Sequence, residues 1–319
     1  MTTGMAATTD WTTAAIPSLR GRNMLITGAN SGIGYRAALV LAEKGAHVIL
    51  ACRDARRGEA AVTAIRREAP DADVALALLD LGSLSSVHRF ADEILAQDMP
   101  VHVLINNAGV MTPPKRLETK DGFELQFGTN VLGHFALTAR LMPALKRADH
   151  ARVVTLASIA HKRGRIDFDD LQSLKAYSPM GAQAQSKLGD LMFAFELDRR
   201  LRAAGSPISS IAVHPGVAAT NLFRAADYQG FEKAARDAFS PLIGWLLNSD
   251  AAGALPTLYA ATSETVLSGG YYGPQGLFET RGRHVGQAQV APQARNQAVA
   301  TRLWETCEAL TGVSFAMSA

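Results

Sequence analysis

The stretch LITGANSGIG, residues 25–34, joins a short apolar run to an amphipathic segment that opens at about Tyr35. Its glycines are Gly28, Gly32 and Gly34, with Ser31 and Ile33 between them, in the spacing TGxxxGxG, which is not that of a P-loop. Glycine permits a tight turn and lets a pyrophosphate approach the backbone, where N–H groups at a helix N-terminus favour an anion. The pattern predicts a dinucleotide-binding turn between a first strand and a first helix.

Around this turn, short apolar runs alternate with amphipathic stretches along most of the chain. Strands are predicted at 24–27, 47–51, 74–78, 101–105, 152–156, 208–213 and 270–272. Helical segments are predicted at 35–44, 58–68, 84–97 and 187–203, and a last helix at about 293–310 would end at Gly312. This alternation predicts the α/β class: a Rossmann-type, doubly wound parallel sheet of about seven strands with helices on both faces.

The length of 319 residues suits one large domain. Residues 1–20 are predicted to form a tail or strap, and residues 21–319 a single NADP-binding Rossmann domain. A segment at about 220–250 mixes aromatic and charged residues and is interpreted as a lid over a medium to large apolar substrate. Alternatively, half of its apolar residues only pack against the sheet edge.

Composition argues against several classes of partner and site. The net charge is +3, from 32 basic and 29 acidic residues, so neither nucleic acid nor an anionic membrane is an expected partner. No apolar run is long enough to span a membrane, and the N-terminus does not resemble a signal peptide. The two cysteines, Cys52 and Cys307, fit core positions in a cytoplasmic protein, and no cluster has metal-ligand spacing. A homo-dimer or larger homo-oligomer stays open.

Cofactor preference is indicated nineteen residues after Gly34, where the second strand ends at Arg53. An NAD site places a carboxylate here for the ribose 2′-hydroxyl, whereas an NADP site places a cation for the 2′-phosphate. Arg53 supplies that cation, and Arg56 and Arg57 are candidate helpers. We therefore expect NADP(H), the alternative being that these arginines only solubilise a helix start.

Taken together, the motifs resemble those of the short-chain dehydrogenase/reductases, in their retinol-dehydrogenase-like branch, from about Leu19 to the C-terminus. The motifs are TGANSGIG (27–34), ACRD (51–54), LDL (79–81), INNAG (105–109), GTNVLGHF (128–135), LASIAH (156–161), SK (186–187) and HPGVAAT (214–220). The resemblance implies an NADP(H)-dependent oxidoreductase acting on a bulky carbonyl. It assigns to the cofactor site Asp80, which would hold the adenine amine, with Leu81, Asn107, Ala108, Gly109, Pro215, Gly216, Val217 and Thr220.

The resemblance also implies catalytic roles for Asn130, Ser158 and Lys187. Asn130 would hold a water connected to Lys187, Ser158 would bond the substrate oxygen, and Lys187 would bond the nicotinamide ribose. The family's catalytic tyrosine should lie four residues before the lysine, where this chain has Gln183. An amide donates a hydrogen bond but no proton near neutral pH.

Three hypotheses follow from Gln183. The protein is still a reductase, with a water held by Gln183, Ser158 and Lys187 or with an enone or imine substrate that needs little proton help. Alternatively, it catalyses elimination, isomerisation or cyclisation, or it binds NADP(H) without turnover. Tyr177, His134 and His161 are minor candidates for a replacement acid, and we expect both histidines to bond loop backbone instead.

Overall fold

The computed structural model describes residues 11–216 and 249–317. These residues form one eight-stranded sheet with seven α-helices. The strands are β1 (Asn23–Thr27), β2 (His47–Cys52), β3 (Val74–Leu78), β4 (Val103–Asn106), β5 (Arg152–Leu156), β6 (Ser209–Val213), β7 (Tyr271–Pro274) and β8 (Val285–Gln287). The helices are α1 (Gly32–Glu43), α2 (Ala55–Glu68), α3 (Leu84–Ala96), α4 (Gly133–Lys146), α5 (Pro179–Ala203), α6 (Asp250–Thr262) and α7 (Gln297–Thr311). The predicted Rossmann-type α/β class is confirmed.

The strand order is β3-β2-β1-β4-β5-β6-β7-β8, and all neighbours are parallel except β7 and β8. The order reverses between β1 and β4, and in such sheets ligands bind beyond the carboxyl ends of the strands at this switch point. The eighth strand was not predicted, because its three residues, Val285–Gln287, are too few to show a hydrophobic period.

Two apolar layers cover the sheet, which explains why its strands are apolar without alternation. One layer contains Phe90 of α3, Phe135 of α4, Leu191 of α5 and Trp304 of α7. The other contains Leu39 of α1, Ile65 of α2 and Leu258 of α6. With helices on both faces, the edge formed by the strand ends is left for the ligand.

Helix α5 begins eight residues before the predicted start at Lys187. The Ser178 hydroxyl accepts from the N–H of Gly181, and Pro179 occupies the first turn, a combination that starts a helix. Gln183 and Lys187 therefore lie one turn apart on a single helix, at i and i+4. Helix α1 likewise begins at Gly32 rather than Tyr35, so the glycine turn contributes its first residues.

The two ends of the described chain pack against the domain. Ile16 and Leu19 are buried, and the Trp11 ring meets Tyr259 of α6 edge-on with centroids 5.3 Å apart. At the other end, Gly312 has φ 67° and ends α7, as predicted. That helix begins at Gln297 rather than 293, because residues 292–295 form a separate 3₁₀ turn. Within residues 11–216 and 249–317, no helix is long and apolar enough to cross a membrane.

Candidate active site

The glycine turn after β1 lies directly against the residues that follow β4. Gly28 has φ 66°, and a Cβ built on it would lie 3.0 Å from the Cα of Ala108. A Cβ on Gly34 would lie only 2.5 Å from Nδ2 of Asn107 and 2.8 Å from the Gly28 carbonyl oxygen. Larger residues at 28 and 34 would fill the space between this turn and residues 107–108, which we call the glycine cradle. The close approach of the two backbones therefore depends on glycine.

The cradle opens onto the N-terminus of α1. Ser31 is the N-cap residue, but its side chain makes no capping hydrogen bond, and Gly32 follows with φ 59°. The first N–H groups of a helix have no partner within the helix and favour an anion. Ile33 is buried and anchors the turn. The residues present therefore fit a dinucleotide pyrophosphate.

Thr27, at the end of β1, holds the two sides of the cradle together. Its hydroxyl oxygen accepts from the N–H groups of Asn107 and Ala108, each at 2.9 Å, and its carbonyl accepts from Nδ2 of Asn107 at 2.7 Å. With both amides donating to it, the hydroxyl donates its own proton to Nε2 of His134 at 2.9 Å. This network fixes the register of β1 against the end of β4.

His134 is therefore a structural residue. Its Nδ1–H donates to the Asn130 carbonyl at 2.7 Å, and its Nε2 accepts from Thr27. Burial lowers the pKa of His134 to about 4, with the Lys187 charge acting in the same direction. The ring is neutral at pH 7 and has no proton to give to a substrate; it bonds backbone as expected, but that of the helical residue Asn130 rather than of a loop, together with the Thr27 hydroxyl.

At the adenosine end, Arg53 is exposed directly after β2. Asp54, which follows it, caps α2 by accepting from the N–H of Arg57 at 2.9 Å. One oxygen of this carboxylate is used by the cap, and the residue that directly follows β2 is the cation Arg53 rather than the carboxylate of an NAD site. No carboxylate pairs with Arg53 among the residues that the structure describes.

Asp80 occupies the loop after β3, where the sequence predicted it near adenine. One carboxylate oxygen accepts from the N–H of Gly82 at 3.1 Å, and the other pairs with Nζ of Lys120 at 3.0 Å. Lys120 is largely exposed, so the pair is open to exchange with a ligand. The Leu81 side chain is buried, and its carbonyl oxygen lies against Gly133 of α4, 2.5 Å from the position of a Cβ there.

Three of the four residues predicted at the chemical end are brought together beside β4 and β5. The Asn130 amide accepts from the N–H of Val110 at 2.9 Å and donates to the Val110 carbonyl at 3.1 Å. It also donates to the Ser186 hydroxyl, which in turn donates to the Gln183 carbonyl at 3.0 Å. A Cβ built on Gly109 would lie 3.9 Å from Nζ of Lys187, so this lysine of α5 also lies next to the residues that follow β4.

Ser158, the fourth residue, lies two positions after β5 and is half-buried. Its oxygen accepts from the N–H of Ala160 at 3.2 Å, and no described residue accepts its proton. The hydroxyl is therefore able to donate to a substrate oxygen. His161 supports the turn: Nδ1–H donates to the Ser158 carbonyl at 2.6 Å, and Nε2 accepts from the N–H of Ala291 at 3.2 Å.

Neither His161 nor Tyr177 replaces the missing acid. Both nitrogens of His161 are bonded, and burial lowers the pKa of its ring. The Tyr177 hydroxyl donates to the Pro113 carbonyl at 2.8 Å and accepts from Nε2 of Gln126. Burial also raises the pKa of Tyr177, away from a range useful for catalysis.

Gln183 is buried, with 5% of its surface exposed. Its Oε1 is enclosed and has no hydrogen-bond partner among the described residues. A buried acceptor without a partner destabilises a fold by roughly 1–3 kcal/mol, and such groups are found where a ligand or a water completes the site. Position 183 is thus an incomplete polar site one turn from Lys187.

Lys187 has an unpredicted partner in Asp190. Its Nζ donates to the Leu156 carbonyl at 2.8 Å and to Oδ2 of Asp190 at 2.8 Å. Burial raises the pKa of Asp190 to about 6, against the opposing effect of the Lys187 charge. A carboxylate three residues after the lysine was visible in the sequence, but its burial was not.

The remaining predicted residues lie at or beyond the end of β6. Gly216 has φ 74°, and its N–H donates to Nδ1 of His214 at 3.2 Å, so Pro215 and Gly216 form a tight turn at the ligand edge. Val217, Thr220 and nearly all of the predicted lid at 220–250 fall outside the described residues. In the ranges 11–216 and 249–317, no group of His, Cys, Asp and Glu could hold a metal ion.

Comparison with known proteins gives consistent matches. The family model for short chain dehydrogenases matches residues 22–229. Human retinol dehydrogenase 13 is 41% identical over 303 residues, which cover 94% of this chain and 86% of that protein. Mouse polyprenol dehydrogenase is 40% identical over 308 residues, which cover 95% and 88%.

Solved structures agree. An uncharacterized protein from Mycobacterium paratuberculosis has a TM-score of 0.78 at 42% identity, with 96% of this chain and 99% of that chain covered. A short chain dehydrogenase from Shigella flexneri, complexed with NADP, has a TM-score of 0.60 at 21% identity, with 80% and 97% covered. The second likeness supports the fold alone.

Proposed function

Because the chain belongs to the short-chain dehydrogenase family, in its retinol-dehydrogenase-like branch, we propose that it is an NADP(H)-dependent reductase with altered proton delivery. The substrate is a medium to large apolar carbonyl, enone or imine. The observation that carries the proposal is that Asn130 is joined through Ser186 to the turn of α5 that contains Gln183 and Lys187, where the family resemblance predicts the acid.

The cofactor cradle supports NADP(H) through its shape and charge. When bound, this cofactor supplies the hydride. Gly28 and Gly34 allow the pyrophosphate to reach the backbone, and the uncapped start of α1 binds its charge. Arg53 is the cation for the 2′-phosphate, since it is exposed directly after β2 and no described carboxylate pairs with it.

At the substrate end, hydrogen bonds polarise the substrate carbonyl, and no tyrosine hydroxyl takes part. The Ser158 hydroxyl donates to the substrate oxygen and stabilises the negative charge that develops there. The amide of Gln183 orients the same oxygen, or a water beside it, but has no proton to transfer. The ammonium of Lys187 adds positive charge one turn away.

An apolar substrate fits the surroundings. Two relatives are named for the dehydrogenation of retinol and of polyprenol. The N-terminus of α5 lies at the carboxyl edge of the strands. In the residues that lead into this helix and start it, 172–180, two apolar side chains are largely exposed: Leu174 by 72% and Met180 by 60%. Both free cysteines are buried, which fits a reducing compartment such as the cytoplasm.

The test is NADPH oxidation by the purified protein on a panel of apolar ketones, aldehydes, enones and imines. We expect turnover of at least one member, with enones or imines preferred over simple ketones because they need less proton transfer at oxygen. NADH at the same concentration is the control. If NADPH binds but no member is reduced, the proposal fails and non-redox chemistry or a binding role gains support.

A second prediction concerns cofactor choice. Arg53→Ala is expected to raise the Kd for NADPH about 10- to 100-fold, the effect of losing a charge-assisted hydrogen bond of about 1.5–3 kcal/mol. The Kd for NADH should change less than about threefold. Both constants are measured by quenching of protein fluorescence. The matched control is Arg67→Ala, which removes the same charge from the last turn of α2. Equal losses for both cofactors would contradict the role of Arg53.

A further inference from the structure

The described side chains around Gln183 offer hydrogen bonds to a substrate but no proton. Nζ of Lys187 donates to the Leu156 carbonyl and to Oδ2 of Asp190, each at 2.8 Å, and the family resemblance assigns its remaining N–H to the nicotinamide ribose. The Gln183 amide and the Ser158 hydroxyl donate hydrogen bonds without ionising near neutral pH. An atom that gains an electron pair here therefore finds no acid among these residues.

The titratable side chains on the neighbouring elements do not supply a proton either. Burial lowers the pKa of His134 in α4 to about 4, and both of its nitrogens are bonded. Burial also lowers the pKa of His161, in the turn after β5, whose two nitrogens bond backbone groups. Tyr177 donates its proton to the Pro113 carbonyl, and burial raises the pKa of the Cys307 thiol in α7. The part of the chain that the structure describes thus leaves the reaction without a proton donor.

The side chain at 183 instead presents an acceptor that lacks a donor. Oε1 of Gln183 is enclosed and has no hydrogen-bond partner among the described residues. A substrate carbonyl offers only lone pairs, so it would leave this buried oxygen unpaired, which is unfavourable. A nitrogen that carries a proton offers an N–H, and a charged donor forms a stronger hydrogen bond than a neutral one. The chemistry that completes position 183 is therefore that of a cationic N–H group.

The charge one turn away is balanced, which allows a cation to approach. Lys187 and Asp190 form an ion pair whose side chains are 11% and 3% exposed. Burial raises the pKa of Asp190 to about 6, so the carboxylate is still ionised at pH 7. An ammonium without this counter-ion would repel a second cation, and the repulsion is strong where water is excluded. The carboxylate thus removes the main electrostatic obstacle to a positively charged substrate.

We propose that the substrate is a protonated imine, an iminium ion, rather than a ketone or an aldehyde; this rests on the proposed function. The iminium N–H donates to Oε1 of Gln183. The iminium carbon accepts a hydride from NADPH, the electron pair of the C=N bond moves to the nitrogen, and the nitrogen keeps the proton with which it arrived. The products are a neutral amine and NADP⁺, and no protein group gains or loses a proton.

The first test compares imines with ketones of the same carbon skeleton. Phenylpyrroline and naphthylpyrroline, two cyclic imines, are paired with phenyl propyl ketone and naphthyl propyl ketone, and NADPH oxidation is followed. We expect kcat/KM for each imine to exceed that of its ketone by at least about tenfold, because only the ketone needs a proton from the site. A smaller ratio would overturn the inference.

The second test asks whether the substrate N–H bonds to Gln183. Methylation of the nitrogen of phenylpyrroline keeps the positive charge and removes the N–H. The methylated ion should have a KM about 10- to 100-fold higher than the protonated imine, the effect of one charge-assisted hydrogen bond. In Gln183→Leu, which has no acceptor, the difference should shrink to less than about threefold. An equal difference in both proteins would mean that the methyl group acts by its size, and the inference would fail.

The third test measures binding without turnover. Phenylpyrrolidine, an ammonium near pH 7, and the ether phenyltetrahydrofuran have the same shape and are titrated by calorimetry into the NADPH complex. The ammonium should bind at least about tenfold more tightly, and Gln183→Leu should remove that preference. Asp190→Asn should weaken ammonium binding about tenfold and leave ether binding unchanged, because Lys187 then lacks its counter-ion. Asp198→Asn, at the Arg202 pair on the same helix, is the matched control.

The outcomes are distinguishable from those of the proposed function. If ketones are reduced as well as imines, or if the ether binds as tightly as the ammonium, only this inference fails. Unchanged ammonium binding in a folded Asp190→Asn would also overturn it, and Gln183→Leu decides the matter if that variant does not fold. If NADPH binds but neither imines nor carbonyl compounds are reduced, the proposed function itself fails.

Discussion

Replacing Gln183 with tyrosine is expected to raise kcat for ketone reduction by about 10²–10⁴-fold, the usual contribution of a general acid. Residue 183 lies one turn before Lys187 on α5, so a phenol there would stand within reach of the ammonium. A nearby positive charge lowers the pKa of a tyrosine and brings it closer to the working pH. Under the proposed function, Ser158 and Asn130 keep their roles in this variant, and only the acid is added.

The matched control for this gain is Gln183→Phe, which adds the same ring without a hydroxyl. Both variants are compared with the native protein by NADPH oxidation on ketones and on imines. The gain should be larger for ketones, whose oxygen needs a proton, than for iminium substrates, whose nitrogen already carries one. If the phenylalanine variant gains as much as the tyrosine variant, the effect is one of packing and the explanation is wrong.

The second large effect is expected at the glycine cradle. Gly34→Ala should raise the Kd for NADPH by about 100-fold, which corresponds to about 2.7 kcal/mol. The added Cβ would lie 2.5 Å from Nδ2 of Asn107, so Asn107 must move. That movement breaks its bond to the Thr27 carbonyl and shifts the wall of the cofactor site. Overpacking of this kind also destabilises a fold by roughly 1–3 kcal/mol.

Fluorescence titration with NADPH measures the binding loss, and urea unfolding measures the stability loss. Gly181→Ala is the control, because Gly181 is an exposed helical glycine whose added Cβ would meet only the Ser178 side chain, at 3.3 Å. Alanine favours a helix more than glycine does, so this variant should keep both binding and stability. Unchanged NADPH binding in Gly34→Ala would show that the cradle is not the pyrophosphate site.

Much of the fold could be predicted because its signals are local. Strands covered on both faces are apolar throughout, and the glycine turn marks the first strand–turn–helix unit. Two further local signals mark where helices begin: Ser178 and Pro179 start α5, and Asp54 caps α2. Strand β8 is different, since its three residues pair with β7 only because the chain folds back on the sheet edge.

The site divides in the same way. The residue types at 130, 158, 183 and 187 and their spacing follow from the order of residues alone, and the family resemblance adds the expectation of an acid where the chain has Gln183. Helix periodicity then places Gln183, Lys187 and Asp190 on one face of any helix that contains them. Up to this point no knowledge of the rest of the chain is needed.

Contacts between distant segments were decided only by the tertiary structure. Thr27 accepts from the N–H groups of Asn107 and Ala108, which lie 80 and 81 positions further along the chain, and it also bonds His134. Burial of that histidine lowers its pKa to about 4 and keeps it neutral. Asp190 became the counter-ion of Lys187 because packing around α5 buries its carboxylate, and a buried charge keeps its partner where an exposed one exchanges it for water. The sequence by itself determined the fold class and predicted the cofactor turn; the depth at which each polar group lies, and hence which partners it finds, depended on the packing of the whole domain.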